Sequence, residues 1–500
     1  MTQYEIMSTV SSLTGLLQGD NLKAKSARAV MKLAVGTGAE RILRFVRYMI
    51  LTRILAPEDL GILAIILPLV AIFEAFTEVG VKQSIIQNKR GADHEYLNVA
   101  WWFQSVRGLG LSTFTALAAP LICSAYGKPE LVRLVQFTCL AAVFRGFISP
   151  RAHVLEKEYR FGRAILLIQG GAVLGTIITI SLALVTRNVW ALVIGYVAEQ
   201  GVLCLLSYVL APFGPKLGID RICLAELWKF ARGMFGLPIM TLIAYAAPFL
   251  VLGRVDFITD GQVGMYSMAV QLVNVPILFF ARIIQPVMLP GLAGRQDDQA
   301  FLSRAVLKIT QGVAMFGIPL VAFVACFAKI LLRLAWGPQY AAVAIPCAVL
   351  SLQIMTRTEG IVLATTYMAI GRPNLLRAFV ALRAGMVVAL IYPAVIHYGL
   401  PGAAAAIALA NVAALLIQTF CYRKIMHLTF GSYMRSYIPG LLLALPVIAT
   451  VGLLHLLGVD SAMLELVIGV FVLAGTFAAS LFVLSRPKKS SAITSKVSDN

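Results

Sequence analysis

The chain has 500 residues, of which 59% are hydrophobic and only 13% are charged, and its formal net charge is +19. This composition excludes a water-soluble enzyme, a DNA-binding module and a disulfide-rich secreted domain, because a soluble fold cannot bury so large an apolar share. The seven cysteines show no CxxC or histidine-paired spacing, so the sequence predicts free thiols and no metal site.

Apolar runs of about twenty residues recur along nearly the whole chain, and each can cross a hydrocarbon core of about 30 Å. The sequence therefore predicts an all-α, polytopic membrane protein with about 14 membrane-spanning helices. In chain order, the predicted spans are 32–53, 60–80, 98–125, 131–150, 163–186, 189–211, 232–253, 263–285, 306–328, 342–368, 376–397, 401–422, 438–457 and 463–485.

The junction between the first two spans is repeated about six helices later. The residues in question are Arg53, Asp59 and Gly61 at the first junction, and Arg254, Asp260 and Gly264 at the second. This repeat predicts two six-helix lobes in a parallel pseudo-repeat, an architecture that transporters use for alternating access. The predicted segments are 1–31 (cytoplasmic), 32–211 (N-lobe), 212–231 (cytoplasmic linker), 232–422 (C-lobe), 423–485 (two further helices) and 486–500 (cytoplasmic tail).

Lysine and arginine are distributed unequally between the loops on the two sides of the predicted membrane. One side collects 27 of them and the other only seven, counted over the loops and span ends. Because cytoplasmic loops carry the excess of basic residues, both termini are predicted to be cytoplasmic. The expected location is a bacterial inner membrane, with membrane lipids as partners and no nucleic acid.

Eight arginines remain inside the predicted spans. A charge at a lipid-facing helix centre costs about 2.5–3.5 kcal/mol, so most of these side chains should line a water-filled lumen. A net-positive lumen indicates an anionic substrate, and paired guanidinium groups suit a diphosphate. The predicted substrate-binding residues are Arg41, Arg44, Arg47, Arg107, Arg145, Arg282, Arg357, Arg383, Gln271 and Asn274.

Five acidic residues also lie within the spans: Glu40, Glu74, Glu78, Glu199 and Glu359. Glu74 and Glu78 share a face of the second helix, where they could take up a proton or pair with the first helix's arginines. We predict Glu74, Glu78 and Glu359 as ion-coupling residues. The alternative is a set of ion pairs that only holds helices together, which Glu40 and Arg44 at i,i+4 would fit. The sequence has no Walker A loop, and we expect no cofactor and no metal.

Three segments resemble the polysaccharide transporter family, which includes Wzx-type flippases and belongs to the superfamily of MATE exporters and the lipid II flippase MurJ. They are the run Leu51-Thr-Arg-Ile-Leu-Ala-Pro-Glu-Asp-Leu-Gly-Ile-Leu63, the stretch from Lys157 to Arg163, and Gly264-Met-Tyr-Ser-Met-Ala269. The resemblance covers roughly residues 32–430. One feature departs from it, because many members carry an Asp late in the seventh helix where this chain has Pro248.

The resemblance implies a flippase and not an enzyme. Its substrate would be an undecaprenyl-diphosphate-linked oligosaccharide for exopolysaccharide or lipopolysaccharide synthesis, moved from the cytoplasmic to the periplasmic leaflet. A polysaccharide polymerase and a chain-length regulator are candidate partners. The alternatives are a lipid II flippase, a MATE-like exporter of small cations, a membrane-embedded glycosyltransferase, polymerase or ligase, and a structural scaffold. The exporter should show an acidic lumen, and the enzymes generally need a larger loop outside the bilayer.

Overall fold

The computed structural model describes residues 22–77, 80–158, 160–218, 220–234, 236–293, 298–426, 429–458 and 461–485. Every regular element in these ranges is a helix, which confirms the all-α prediction. All seven cysteines are free thiols. Glu78 lies outside the described residues, as does the side chain of Arg282.

The first nine α-helices correspond to the predicted N-lobe, and we keep that name for them. They are α1 (Leu22–Ile54), α2 (Pro57–Thr77), α3 (Val81–Gln87), α4 (His94–Ala125), α5 (Val132–Thr138), α6 (Leu140–Gly146), α7 (Arg151–Lys157), α8 (Phe161–Thr186) and α9 (Val189–Leu210). A short 3-10 helix, Pro129–Leu131, precedes α5.

The remaining helices begin with a surface helix, α10 (Arg221–Met234). We call α11 to α16 the C-lobe. These are α11 (Leu237–Arg254), α12 (Asp260–Ala293), α13 (Gln299–Cys326), α14 (Ala328–Ala335), α15 (Ala344–Ala369) and α16 (Pro373–Met426), with a 3-10 helix, Pro338–Val343, before α15. They are followed by α17 (Phe430–Arg435), α18 (Ile438–Leu456) and α19 (Ala462–Ser485).

Within the described residues, nine helices are long and apolar enough to cross a membrane, or ten if the bent pair Pro129–Gly146 and Arg151–Lys157 forms one span. The protein is therefore a multi-pass membrane protein. One of the nine, within α16, covers both the eleventh and the twelfth predicted spans, and a kink at Gly399, whose backbone angles are not helical (φ 58°, ψ −135°), lies between the two. The number fourteen stays a prediction.

Two of the predicted spans, the fourth and the seventh, need correction. The fourth span was predicted as one helix over 131–150, but the chain forms α5 and α6 and then bends by 59° into α7. The seventh span was predicted to begin at residue 232, but α10 covers Arg221–Met234 and α11 begins at Leu237. Gly236 separates α10 from α11 with a φ of 96°, a conformation that glycine adopts without steric cost.

The two lobes meet where α2 begins and α12 begins. A Cβ atom built on Gly61 would lie 1.8 Å from the Asp260 carbonyl oxygen, so only glycine allows the two backbones to approach this closely. Around this crossing, Lys128 forms an ion pair with Asp260. The Tyr126 hydroxyl donates a hydrogen bond to the Leu250 carbonyl oxygen. The lobes are thus closed at the end that the charge pattern predicts to be non-cytoplasmic.

Candidate functional site

Four neighbouring cavities extend from α1 into the C-lobe. The α1 cavity (about 260 Å³) is lined by α1, α12 and Trp336, and the inter-lobe cavity (about 250 Å³) lies between α2 and α11. The C-lobe cavity (about 480 Å³) is enclosed by α11, α12, α15 and α16, and a smaller one of about 190 Å³, the Gln418 cavity, adjoins it. Neighbouring cavities share lining residues, including Gln271, Asn274 and Arg357. The largest has the volume of a typical small-molecule site.

Arg44 and Arg47 line the α1 cavity, and a carboxylate from another helix holds both of them. Arg44 donates to Glu199 Oε1 at 2.6 Å, and Arg47 donates to Glu199 Oε2 at 2.9 Å. Arg44 also pairs with Glu40 at 2.8 Å, as the i,i+4 spacing predicted. Two arginines are therefore matched by two carboxylates, and Glu199, with a side chain only 3% exposed, holds α1 against α9. These contacts fit the alternative interpretation, in which the ion pairs hold helices together.

Arg41 lies on the same stretch of α1 and also lines the α1 cavity. It is exposed, and it forms no ion pair with any described residue. Of the three arginines that line the α1 cavity, Arg41 is thus the one whose charge is not compensated by a described carboxylate.

Arg145 of α6 lines the inter-lobe cavity and is surrounded by polar groups. Its guanidinium group forms an ion pair with Glu74 of α2, donates to the Tyr196 hydroxyl, and donates to Gln200 Oε1 at 3.0 Å. Glu74 therefore forms an ion pair with Arg145, whereas one interpretation of the sequence had paired it with the arginines of the first helix. This pair places no net charge on the inter-lobe cavity.

Arg357 of α15 and Arg383 of α16 both line the C-lobe cavity and the Gln418 cavity. Arg357 donates to Asn274 Oδ1 of α12 at 2.9 Å. No described acidic residue lines either cavity, and none forms an ion pair with these arginines. The remaining polar lining groups are neutral, such as Gln353 and Asn411.

The positive charge of the predicted lumen is thus unevenly distributed over the described cavities. Carboxylates compensate most of it near the N-lobe, whereas Arg357 and Arg383 carry about two uncompensated charges within the C-lobe cavity. Two like charges in an apolar surrounding are unfavourable unless water or an anion solvates them. The arrangement is therefore suited to binding an anion, and paired guanidinium groups match phosphate oxygens.

Two of the predicted site residues lie elsewhere. Arg107 is half-buried on α4 and is not among the residues that line these four cavities. Glu359 is fully buried between α13, α15 and α17 and does not line them either. The cavities do contain Gln271 and Asn274, the two uncharged residues that were predicted.

Several polar residues contribute to these sites although the sequence did not single them out for a role. Glu199 is the main one, and its adjacent Gln200 contacts Arg145. A Glu-Gln pair in the middle of an apolar helix was the available signal, because an ionisable residue in a membrane span almost always has a partner. Tyr245, which lines both the C-lobe and the inter-lobe cavities, gave no such signal, because aromatic residues are common in apolar helices.

The family model described as "Polysaccharide biosynthesis protein" matches residues 50–345, more than half of the chain. The chain belongs to this family. The lipopolysaccharide biosynthesis protein WzxC of Escherichia coli (strain K12) is 23% identical over 428 residues, covering 84% of this chain and 85% of WzxC. The succinoglycan biosynthesis transport protein ExoT of Rhizobium meliloti (strain 1021) is 22% identical over 299 residues, covering 60% of each chain.

Among solved structures, the lipid II flippase MurJ in an inward closed conformation superposes with a TM-score of 0.73 at 14% identity. The superposition covers 90% of this chain and 99% of the MurJ chain. At this identity the likeness shows the fold alone, and it confirms the MurJ-like architecture. The predicted resemblance to Wzx-type polysaccharide transporters is likewise confirmed. The protein is thus a multi-pass membrane protein of a polysaccharide transporter family.

Proposed function

We propose that this protein is a flippase that moves an undecaprenyl-diphosphate-linked oligosaccharide from the cytoplasmic to the periplasmic leaflet. The product would serve exopolysaccharide or lipopolysaccharide synthesis. The observation that carries this proposal is the uncompensated pair Arg357 and Arg383 in the C-lobe cavity. The named relatives, a lipopolysaccharide biosynthesis protein and a succinoglycan transport protein, support the class of substrate.

Each part of this substrate has a counterpart in the cavity. The diphosphate is the anionic group, and Arg357 and Arg383 are the cationic groups available without breaking an ion pair. Tyr245 and Phe249 give the C-lobe cavity an aromatic wall, and Gln353 and Asn411 provide amide groups for sugar hydroxyls. The polyprenyl chain is apolar, and we propose that it stays in the lipid while the polar head enters the protein.

The α1 arginines have a different place in this proposal. Arg44 and Arg47 are bound to Glu199, so a carboxylate already compensates their charge before a diphosphate arrives. We assign the first binding step to Arg357 and Arg383, with Arg41 as an additional contact. Arg44, Arg47 and Arg145 then serve mainly to hold helices around the cavity. A MATE-like exporter of cations is not favoured, since a cation would be repelled by this lining.

The test is genetic and biochemical. A strain that lacks the chain should accumulate the lipid-linked oligosaccharide on the cytoplasmic leaflet and lose the secreted polymer, and a plasmid copy should restore both. Arg357→Gln and Arg383→Gln should fail to restore polymer, because losing a charge-assisted hydrogen bond costs about 1.5–3 kcal/mol, or roughly ten- to a hundredfold in affinity. Arg133→Gln is the matched control, since Arg133 is exposed on α5 and lines none of the four cavities.

The outcomes separate the alternatives. Normal polymer in the deletion strain together with altered sensitivity to cationic drugs would replace the flippase by an exporter. Accumulation of lipid II with arrested cell-wall synthesis would make the substrate lipid II. Full complementation by both arginine variants at normal expression would remove the C-lobe arginine pair from the substrate site.

A further inference from the structure

Glu359 lies in the middle of α15 and is 0% exposed. It faces away from the substrate cavities, because Arg357, two residues earlier, lies about 200° away around the helix. Its Oε1 atom accepts a hydrogen bond from Thr310 of α13 at 2.6 Å and another from Tyr433 of α17 at 2.5 Å. Three helices therefore meet at this one carboxyl group.

The other carboxyl oxygen, Oε2, is buried without a hydrogen-bond partner. No Lys or Arg of the described chain forms an ion pair with Glu359. The titratable groups that face it are tyrosines, namely Tyr422 of α16, Tyr433 of α17 and Tyr437 at the start of α18. An ionised carboxylate buried without a cation is strongly unfavourable, so the side chain is best accommodated with a proton.

The helices around Glu359 pack closely against one another, so a movement of one of them would change the surroundings of the carboxyl group. Gly440 of α18 packs directly on α13, where an added Cβ would lie 2.3 Å from the Ala314 carbonyl oxygen. Gly360, the residue after Glu359, already lines the Gln418 cavity. A turn of α15 by one residue, about 100°, would therefore bring the carboxyl group toward this cavity, which Arg357 and Arg383 also line.

We propose that Glu359 is the proton-binding site that couples this protein's transport cycle to a proton gradient. It carries its proton in the conformation described here, with Thr310 and Tyr433 bonded to the other oxygen. When α15 turns or separates from α17, the O–H bond breaks and the proton passes to water in the cavity. The carboxylate takes up a new proton before the helices close again. The coupling rests on the proposed transport function, whereas the protonation of Glu359 does not.

The experiment measures the proton directly. Infrared difference spectra of the full-length protein in lipid vesicles should show a protonated carboxyl C=O band at neutral pH. The band should be absent in Glu359→Gln, which retains the shape and an oxygen acceptor for Thr310 and Tyr433. Glu130→Gln is the matched control, because Glu130 is an exposed carboxyl at a helix end, and its spectrum should match that of the wild type. The band should also change when a pH gradient is imposed across the vesicles.

A second arm follows proton movement with a pH-sensitive dye while undecaprenyl diphosphate is added to the same vesicles. The wild type and Glu130→Gln should release protons, and Glu359→Gln should release at least tenfold fewer while it still binds the lipid. Identical spectra for the wild type and Glu359→Gln, or identical proton release from the two when both bind the lipid, would overturn the proposal. Loss of the band on adding Na⁺ at constant pH would also overturn it, in favour of a sodium site.

The two experiments also distinguish a failure of the proposed flippase function from a failure of the coupling proposal. If undecaprenyl diphosphate does not bind to the wild type, the flippase assignment fails. In that case the response of the carboxyl band to an imposed pH gradient decides the coupling proposal. If the band does not respond, the coupling proposal also fails. If the band responds, proton coupling through Glu359 is supported for a different substrate.

Discussion

Gly61 of α2 and Gly264 of α12 lie against each other at the closed end of the protein. A Cβ atom on Gly264 would lie 2.8 Å from the Gly61 backbone nitrogen and 1.9 Å from the Pro57 carbonyl oxygen. These are the two glycines that the internal sequence similarity had paired between the first and second lobes. Because equivalent positions of the two lobes touch, the contact lies where a parallel pseudo-repeat would place its axis.

A larger residue in place of Gly264 should separate the two lobes at the closed end of the protein. We expect Gly264→Ala to force α2 and α12 apart, because the new methyl group would overlap a backbone oxygen, and overpacking of this kind costs about 1–3 kcal/mol. Spin labels at the exposed positions Arg187 and Asp256, one on each lobe, should report a longer distance in this variant than in the wild type.

The control is Gly110→Ala on α4, where an added Cβ meets nothing within 4 Å. It should leave the distance between the labels unchanged. The same distance distribution in Gly264→Ala and the wild type would show that this contact does not hold the lobes together.

Glu199 should contribute to stability through both of its arginine partners. Glu199→Gln leaves Arg44 with Glu40 alone and leaves Arg47 without a described carboxylate. Breaking a buried ion pair from one side costs about 3–5 kcal/mol, so the thermal midpoint of the purified protein in detergent should fall clearly.

A double-mutant cycle tests whether this loss comes from the ion pair. Arg47→Gln combined with Glu199→Gln should be less destabilising than the sum of the two single changes, since removing both charges leaves no buried charge uncompensated. Strict additivity would mean that Arg47 and Glu199 do not interact in the membrane protein. Arg133→Gln is again the surface control.

The sequence predicted the helical architecture better than it predicted which charged side chains pair with each other. Apolar runs, together with the shared motif around Leu51 to Leu63, were sufficient for an all-helical MurJ-like fold, because each span must satisfy its own backbone hydrogen bonds. Six of the eight predicted arginines, together with Gln271 and Asn274, do line the described cavities, because charged and amide groups stand out in apolar helices. Helix geometry along one helix also predicted the pair of Glu40 and Arg44.

The partners across helices could not be predicted. Glu199 is 155 residues from Arg44, and Arg145 is 71 residues from Glu74, so only the three-dimensional packing decides which charges meet. Counting five acids against eight arginines suggested a positive lumen throughout the protein. Packing instead places Glu40, Glu74 and Glu199 beside the arginines of the α1 and inter-lobe cavities, so most of the charge there is compensated. The C-lobe cavity keeps its charge.

The sidedness predicted from the basic residues can be tested directly. In a background without native cysteines, Leu217→Cys reports on the loop before α10, and Asp256→Cys reports on the loop after α11. Both side chains are exposed. A membrane-impermeant maleimide added to whole cells with a permeable outer membrane should label position 256 and not position 217. The reverse pattern would mean that both termini face the periplasm.

The stability of the surface helix α10 should depend on its N-terminal capping residue, Asp220, and on pH. Asp220 Oδ1 accepts hydrogen bonds from the backbone N–H groups of Ile222 at 2.7 Å and Cys223 at 3.2 Å, and these bonds lower the pKa of the Asp220 carboxyl. The cap therefore stabilises the folded helix above the ordinary Asp pKa of about 4, and this stabilisation is lost as the pH falls through the lowered native pKa.

Hydrogen exchange of a peptide that spans residues 221–224 measures this effect. At neutral pH, Asp220→Ala should exchange faster than the wild type, whereas Asp220→Asn should stay close to it because an amide oxygen also caps a helix. After correction for intrinsic rates, the wild type should approach the Asp220→Ala rate only at acidic pH. Equal exchange of Asp220→Ala and the wild type at neutral pH would mean that α10 is held by its buried side chains, such as Cys223 and Leu227, and not by its cap.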